Sequence, residues 1–296
     1  EQGHEIVGID NINDYYDTDL KKQRLSILKS ENFEFNELDI NQVSSLNKSF
    51  DLIINLAAQA GVRVPEVKKG NYQHSNVNGF LSVLNFSREI SVKSFVYASS
   101  SSVYGDSKQL PKKENKVGNL LSNYALTKKM NEEYAKLFFK LYNLKSIGLR
   151  YFNVFGKRQD PDGDYAAVIP RWIKSVILNK KILIFGDGKT SRDFTPISLV
   201  VQANILAATY NLPVGSYVFN VGANERITLQ KLIYSIYNIF QIPKFKQKIY
   251  YKSFRLGDIR HSLASINEIK KKLGFVKTTN FNDSLRSTIN WFENQK

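Results

Sequence analysis

The sequence predicts an α/β protein: a doubly wound parallel sheet joined to a smaller α/β unit in the C-terminal part. Three observations predict it. Short apolar runs that read as strands alternate with segments whose apolar residues recur at helical spacing. The opening run closes on an acidic residue, Asp10. Farther on, a serine run stands at the end of one strand-like piece, and a tyrosine and a lysine stand four apart at the start of a helical one.

The elements follow in order. Residues 4–9 read as a short strand that runs into Asp10 and the polar stretch Asn11-Ile12-Asn13. Residues 51–56 and 93–98 are apolar strands, and between them residues 76–89 carry Val77, Phe80, Leu81 and Leu84 at helical spacing. A long helix is expected over 122–142 and a strand over 146–150. Strands alternating with helices in this way give a parallel sheet covered on both faces. From Phe155 the pattern loosens. A polar loop spans 156–163, followed by a helix at 168–178, a strand at 182–185 and a turn at Gly186-Asp187-Gly188. A helix near 196–210 and a strand at 217–220 are expected to rejoin the first sheet. The stretch 229–292 is expected to be mostly helical. No internal repeat or low-complexity linker appears.

Composition narrows the class. With 296 residues the chain can build a large core in one or two domains. No run approaches the roughly 18 apolar residues of a membrane helix, so no membrane partner is expected. There is no cysteine, which excludes disulfides, thiolate metal sites and a cysteine nucleophile. The three histidines, His4, His74 and His261, are scattered, and no metal site is expected. The net charge of +15 raises nucleic acid as a partner. The lysines, however, are spread along the chain, as at Lys21-Lys22, Lys128-Lys129 and Lys270-Lys271-Lys272, so none is expected. A small anionic substrate would also gain from the field. Residues 1–4 carry no basic, apolar leader, and a cytoplasmic protein is expected.

A strand that closes on an acid is how a dinucleotide-binding fold holds the adenosine ribose. In that fold the acid stands about 20 residues after a glycine-rich turn. No such turn precedes Asp10, and the sequence does not begin with methionine. The expectation is that a first strand and its phosphate loop, roughly 20 to 25 residues, are missing.

Tyr124 and Lys128 are four apart, so they share one helix face. A tyrosine with an ordinary pKa near 10 is a poor base at neutral pH, and a nearby ammonium favours its phenolate. A serine hydroxyl at a neighbouring strand end can bind the same substrate oxygen. Together these groups can take a proton from an alcohol while hydride leaves its carbon.

At this point the sequence resembles the extended short-chain dehydrogenase/reductases, and among them the nucleotide-sugar 4-epimerases. GLRYFNVFGKRQDPDGDYAAVIPRW from Gly148, FGDGKTSRDF from Phe185 and FRLGDIRHSLA from Phe254 resemble the UDP-N-acetylglucosamine 4-epimerases of bacterial polysaccharide synthesis. The resemblance runs over essentially the whole length. It implies a Rossmann-like NAD-binding domain over 1–153 plus about 193–222, and a UDP-sugar-binding domain over 154–192 plus 223–296. It assigns Ser100, Tyr124 and Lys128 to catalysis, with Lys128 also on the nicotinamide ribose. It places Asp10 and Asn11 on the adenosine ribose and Asp39 and Ile40 beside the adenine. Leu56, Ala57, Ala58 and Gln59 would run past the cofactor, with Asn76 facing it. On the substrate side it implies Ser101 and Ser102 beside the sugar and Asn153 on the diphosphate or sugar. Arg192 and Arg255 would clamp the diphosphate, Asp258 would bind the uridine ribose, and Ala167 and Ser262 would border the sugar. It also implies a homodimer through two helices, with Leu81, Leu84, Met130 and Phe138 as candidate contacts.

Which sugar is bound stays open at this level. Ser262 stands at the family's gate beside the C2 substituent, where a serine leaves room for an N-acetyl group, and Ala167 is also small. The stretches IDNINDYYD from Ile9 and AAQAGVR from Ala57, with the serine run, resemble UDP-glucuronate 4-epimerases instead, and Arg63 could meet a C6 carboxylate. UDP-N-acetylglucosamine, its uronate and UDP-glucuronate stand in that order. Ser101-Ser102 occupy the positions of the Asp-Glu pair with which related dehydratases expel water, which argues against dehydration. The alternative outside enzymes is a non-catalytic NAD- and nucleotide-sugar-binding protein, and the intact Ser100, Tyr124 and Lys128 set argues against it.

Overall fold

The computed structural model describes residues 3–15, 17–28, 30–61, 72–162, 166–255 and 258–295. Arg63 lies outside them. In chain order the first elements are β1 (Ile6–Asp10), α1 (Thr18–Ser26), β2 (Phe33–Glu37), β3 (Leu52–Asn55), α2 (Phe80–Glu89), β4 (Ser94–Ser100), α3 (Asn123–Tyr142) and β5 (Ser146–Tyr151). They are followed by β6 (Val154–Phe155), α4 (Val168–Ile177), β7 (Ile182–Phe185), β8 (Ser191–Asp193), β9 (Thr195–Pro196), α5 (Ile197–Thr209) and β10 (Ser216–Val221). The last are β11 (Arg226–Thr228), α6 (Leu229–Ile239), β12 (Ile249–Lys252), α7 (Asn267–Leu273) and α8 (Phe281–Glu293).

The central sheet has the strand order β10-β5-β4-β3, every neighbour parallel. Strands β1 and β2 form a separate parallel pair that runs from Ile6 opposite Phe33 to Asp10 opposite Glu37. Short pairs β7–β12 and β6–β9 are parallel, and β8–β11 is antiparallel. Strand β10 does rejoin the first sheet, beside β5.

Local chemistry sets the boundaries that matter for the site. The Ser122 hydroxyl accepts from the Ala125 N–H at 3.1 Å and so starts α3 one residue before Tyr124's turn. Asn143, in a left-handed conformation with φ 56°, ends the same helix. Tyr97 lies opposite Gly148 in the β4–β5 register, and a Cβ on Gly148 would stand 2.6 Å from the Tyr97 ring. Only glycine therefore lets β5 lie flat beneath that tyrosine.

Several strands depart from the expectation, the short β6, β8, β9 and β11 among them. Strand β2 was not expected, and β12 interrupts the stretch expected to be mostly helical. β12 is the short, β-branched and aromatic run Ile249-Tyr250-Tyr251-Lys252, which has no helical apolar spacing and pairs onto β7.

Three apolar cores organise these elements. One joins Val96, Ile147, Leu149 and Phe219 of the sheet to Leu199 and Ala203 of α5. A second lies on the opposite side of the sheet, with Phe80, Leu84, Phe95, Tyr97 and Ala135. A third, distinct in sequence, joins Trp172, Ile173, Ile184, Leu232, Ile236, Leu285 and Ile289. Burying each such side chain contributes about 1.5–3 kcal/mol before entropy is counted. The third core uses chain from the expected C-terminal domain, together with Phe194. Residues 264–275 depart from that boundary, because Ile266, Ile269, Leu273 and Phe275 present an apolar face that packs into the sheet's core. Leu84 and Phe138 are likewise core residues, at 0% and 8% exposure, and are closed to a dimer contact. On α3 the exposed apolar residues include Leu126, Leu137, Leu141 and Tyr142.

Candidate active site

The site is built on the C-terminal ends of the parallel strands, where an open α/β sheet presents its ligand crevice. Strand β4 delivers Ser100, whose hydroxyl accepts from the Ser102 N–H at 3.1 Å and so turns the chain into one tight turn over Ser101–Tyr104. Ser100, Ser101 and Ser102 are all half-buried. The Ser102 hydroxyl oxygen is itself buried without a hydrogen-bond partner among the described residues. Gly105 closes the turn with φ 50°, and a Cβ there would meet the Asn119 carbonyl oxygen at 1.7 Å.

Helix α3 lays Tyr124 and Lys128 on one face, the Lys128 nitrogen 5.9 Å from the Tyr124 ring centroid. The Lys128 ammonium is 3% exposed and donates to the Ala98 carbonyl at 2.8 Å. Burial alone pulls its pKa down to about 8. One of its three donors is thus spent and no carboxylate among the described residues pairs with it, which fits a ligand with hydroxyl acceptors, such as a cofactor ribose. Tyr124 also meets the ring of Tyr72, 6.3 Å away.

The adenosine-side residues converge at the end of the β1–β2 pair. Asp10 accepts from the Ile12 N–H at 2.7 Å, with the Lys21 ammonium 3.6 Å away. Asn11 donates to Asp39 at 3.1 Å. Asp39 also receives the Asn41 N–H at 2.9 Å, and His74 Nε2 lies 3.0 Å from its other oxygen. Burial pushes Asp39 upward, but the bonds from His74 and Asn41 outweigh that and hold it well below the ordinary carboxylate range. Ile40, next in the chain, is buried against α2's side of the sheet. Sequence reasoning missed His74; the signal was its place two residues before Asn76, at the start of the segment that leads into α2.

After β3, Leu56 and Ala57 are exposed, Ala58 is half-buried and Gln59 is buried. Asn76 departs from its expected role. It is 1% exposed, its oxygen accepts from the Gln59 N–H at 2.7 Å, and its amide donates to the Gln59 carbonyl and the Thr127 hydroxyl, both at 3.0 Å. With its donors spent, Asn76 braces the loop after β3 against α3 rather than facing a ligand.

A cavity of about 420 Å³ lies between α4, β7 and the loop after β12. Asn153, Ala167, Arg192, Arg255 and Asp258, all expected on the substrate side, line it together. Asn153 sits at φ 33° and donates to the Asp193 carbonyl at 3.0 Å, which fixes it at the cavity's inner end. Arg192 donates to Asp258 at 3.2 Å and to the Ser191 carbonyl at 3.0 Å. Arg255 stacks on Phe185 with its guanidinium carbon 3.5 Å from the ring centroid. Phe185 and Trp172 complete the apolar walls and were not singled out from sequence. Ser262 is buried behind this wall, its N–H donating to the Ser191 carbonyl at 3.1 Å, and is not among the lining residues.

Comparison with known proteins places the chain. The NAD dependent epimerase/dehydratase family matches residues 1–222. The chain belongs to that family. A UDP-glucuronate 4-epimerase of Thermodesulfobacterium geofontis is 35% identical, over 98% of this chain and 89% of that protein. The solved UDP-N-acetylglucosamine 4-epimerase from Methanobrevibacter ruminantium M1, in complex with UDP-N-acetylmuramic acid, is 31% identical with a TM-score of 0.88, over 99% of this chain and 91% of that one. A UDP-glucuronic acid 4-epimerase from Bacillus cereus, solved with UDP-glucuronic acid and NAD, is 26% identical with a TM-score of 0.90, over 99% and 92%. In this family the fold is a Rossmann-like α/β sheet and the cofactor is NAD. No helix among the described residues is long and apolar enough to cross a membrane.

Proposed function

We propose that this NAD-dependent UDP-sugar 4-epimerase acts on UDP-N-acetylhexosamines, interconverting the gluco and galacto forms. Ala167, small and lining the cavity, supports the choice of sugar, and Ser262, at the gate position the resemblance implies, is a small residue behind the wall that carries Arg192. UDP-glucuronate is the second reading, favoured by the 35% identical relative of that name and by the serine run. Dehydration is disfavoured, since Ser101-Ser102 offer no acid to expel water.

When bound, NAD supplies a two-electron acceptor that returns its hydride within the same cycle. The chain's own residues handle the proton and the orientation. Tyr124 takes the O4 proton as a phenolate and gives it back, and the Lys128 ammonium beside it favours that phenolate. Ser100 donates to the same oxygen. Arg192 and Arg255 hold the diphosphate with fork-shaped donors that match its oxygens. The flat 4-keto sugar then turns over about a fixed nucleotide, so that O4 is re-protonated on the opposite configuration. Binding energy from the nucleotide end thus tolerates loose contacts at the sugar end. A homodimer through α2 and α3 fits the exposed Leu126, Leu137 and Leu141. The product is an activated sugar, consumed by glycosyl transfer in surface-polysaccharide assembly.

The test incubates the protein with UDP-N-acetylglucosamine, without added cofactor, and follows UDP-N-acetylgalactosamine by proton NMR, with UDP-glucuronate in parallel. Epimer formation that disappears in Tyr124→Phe supports the reading. Ser262→Tyr should then block the N-acetylated sugar selectively. Conversion of UDP-glucuronate alone would overturn the sugar assignment, and conversion of neither would overturn the activity.

A further inference from the structure

Glu132 lies one helical turn beyond Lys128 and two beyond Tyr124, on the same face of α3, and is 4% exposed. Its partners are Ser99, next to the proposed catalytic serine on β4, and Arg150 on the neighbouring β5. The Ser99 hydroxyl donates to Glu132 Oε1 at 2.6 Å. Arg150, on β5 and 3% exposed, holds the same carboxylate with two parallel bonds of 2.8 Å, Nε to Oε1 and Nη2 to Oε2. Its remaining nitrogen, Nη1, reaches the Tyr104 hydroxyl and the Glu114 carbonyl, each at 3.0 Å. Tyr104 in turn donates to Asn220 on β10 at 2.6 Å.

Helix α3 therefore grips consecutive residues of β4, Ala98 through Lys128 and Ser99 through Glu132, and the next residue is Ser100. The serine turn is held at its far end as well, since Tyr104 closes it and Arg150 holds Tyr104. A buried ion pair is weak grounds for stability, because desolvation offsets the attraction. This one joins the two segments that bear the proposed catalytic hydroxyls.

We propose that the Glu132–Arg150 pair is a positioning device that sets Ser100 and its turn against Tyr124 and Lys128. The proposal rests on the epimerase reading for its activity arm. Glu132 touches no reacting atom. It acts through Ser99 on one side and, by way of Arg150, through Tyr104 on the other.

Ser99→Ala and Tyr104→Phe each cut one link and leave the ion pair whole. Each should lower kcat roughly tenfold or more, because small misplacements at a reacting centre are costly, while KM for the UDP-sugar changes little. Glu132→Gln should do the same more severely, and Glu132→Asp should recover part of the loss. A fluorotyrosine placed at position 124 gives a readout independent of turnover. Its titration midpoint, followed by fluorine NMR, should rise by about half a unit in Ser99→Ala, because Lys128 bonds the adjoining residue and sets the charge at the phenol. Unchanged kcat in both single-link variants, or an equal rise of KM, would overturn the proposal. An unmoved fluorine titration would do so too. If the unsubstituted protein converts neither UDP-sugar, the functional reading fails and the fluorine titration alone decides the positioning role. If Glu132→Gln fails to fold, the two single-link variants decide.

Discussion

The side-chain nitrogen of Lys128 rests 2.8 Å from the carbonyl oxygen of Ala98, the one hydrogen bond this buried ammonium makes among the described residues. Its pKa is about 8 instead of 10.5, so the fold binds this proton less tightly than the unfolded chain does. The destabilisation is complete below about pH 8 and is relieved as pH climbs toward 10.5. It amounts to about 3 kcal/mol as an upper bound. Lys128→Met should therefore raise the urea midpoint at pH 7, abolish the rise of stability between pH 8 and 10, and lower kcat at least about 100-fold. Urea titrations at both pH values, with steady-state kinetics, check all three.

Asp193 poses the opposite problem. Its buried carboxylate accepts N–H groups from Ala223 at 2.9 Å, Asn224 at 3.1 Å and Ala264 at 3.0 Å, yet burial dominates and raises its pKa to about 6. The folded state holds that proton more tightly, so the stability it contributes is full below about pH 4 and lost as pH rises through 6. Asp193→Asn should remove that slope. Either amide orientation turns an NH₂ toward at least one backbone N–H, so the variant should still lose about 2 kcal/mol at pH 7, read by chemical denaturation.

Removing the Asn76 brace should uncouple the loop after β3 from α3. Asn76→Ala leaves the Gln59 N–H and carbonyl without their partner in a buried setting. A loss of about 2–4 kcal/mol is expected, along with weaker cofactor retention, measured by thermal unfolding and by NAD released on gel filtration.

At the proposed diphosphate clamp, Arg192→Lys keeps the charge but loses the fork that spans Asp258 and the Ser191 carbonyl. KM for the UDP-sugar should rise about tenfold to 100-fold, with kcat changed less than about threefold, since the interaction serves ground and transition states alike. Initial-rate kinetics separate the two parameters.

Much of this was legible in the sequence where local rules act alone. The strand at 182–185 and the helices at 123–142 and 168–177 begin and end within a residue of expectation, because caps and apolar periodicity mark them. Of the residues expected on the substrate side, Asn153, Ala167, Arg192, Arg255 and Asp258 line one cavity, while Ser101, Ser102 and Ser262 do not. What escaped was long-range. Nothing local says that Asn76 spends its amide on Gln59 and Thr127, or that Arg255 lies on Phe185. Strand β12 escaped as well, because Ile249-Tyr250-Tyr251-Lys252 is mostly exposed and lacks the continuous apolar run that marks residues 182–185.

The Asp39 carboxylate has a mechanical consequence. It takes the Asn11 amide at 3.1 Å from the chain just after β1, and His74 Nε2, 3.0 Å away, comes from the segment that leads into α2. One carboxylate thus ties together two stretches far apart in sequence, and a dinucleotide seated at Asp10 and Asn11 would be felt as far as α2. Amide exchange over residues 72–79 is then a gauge of cofactor occupancy, slowing as NAD is added.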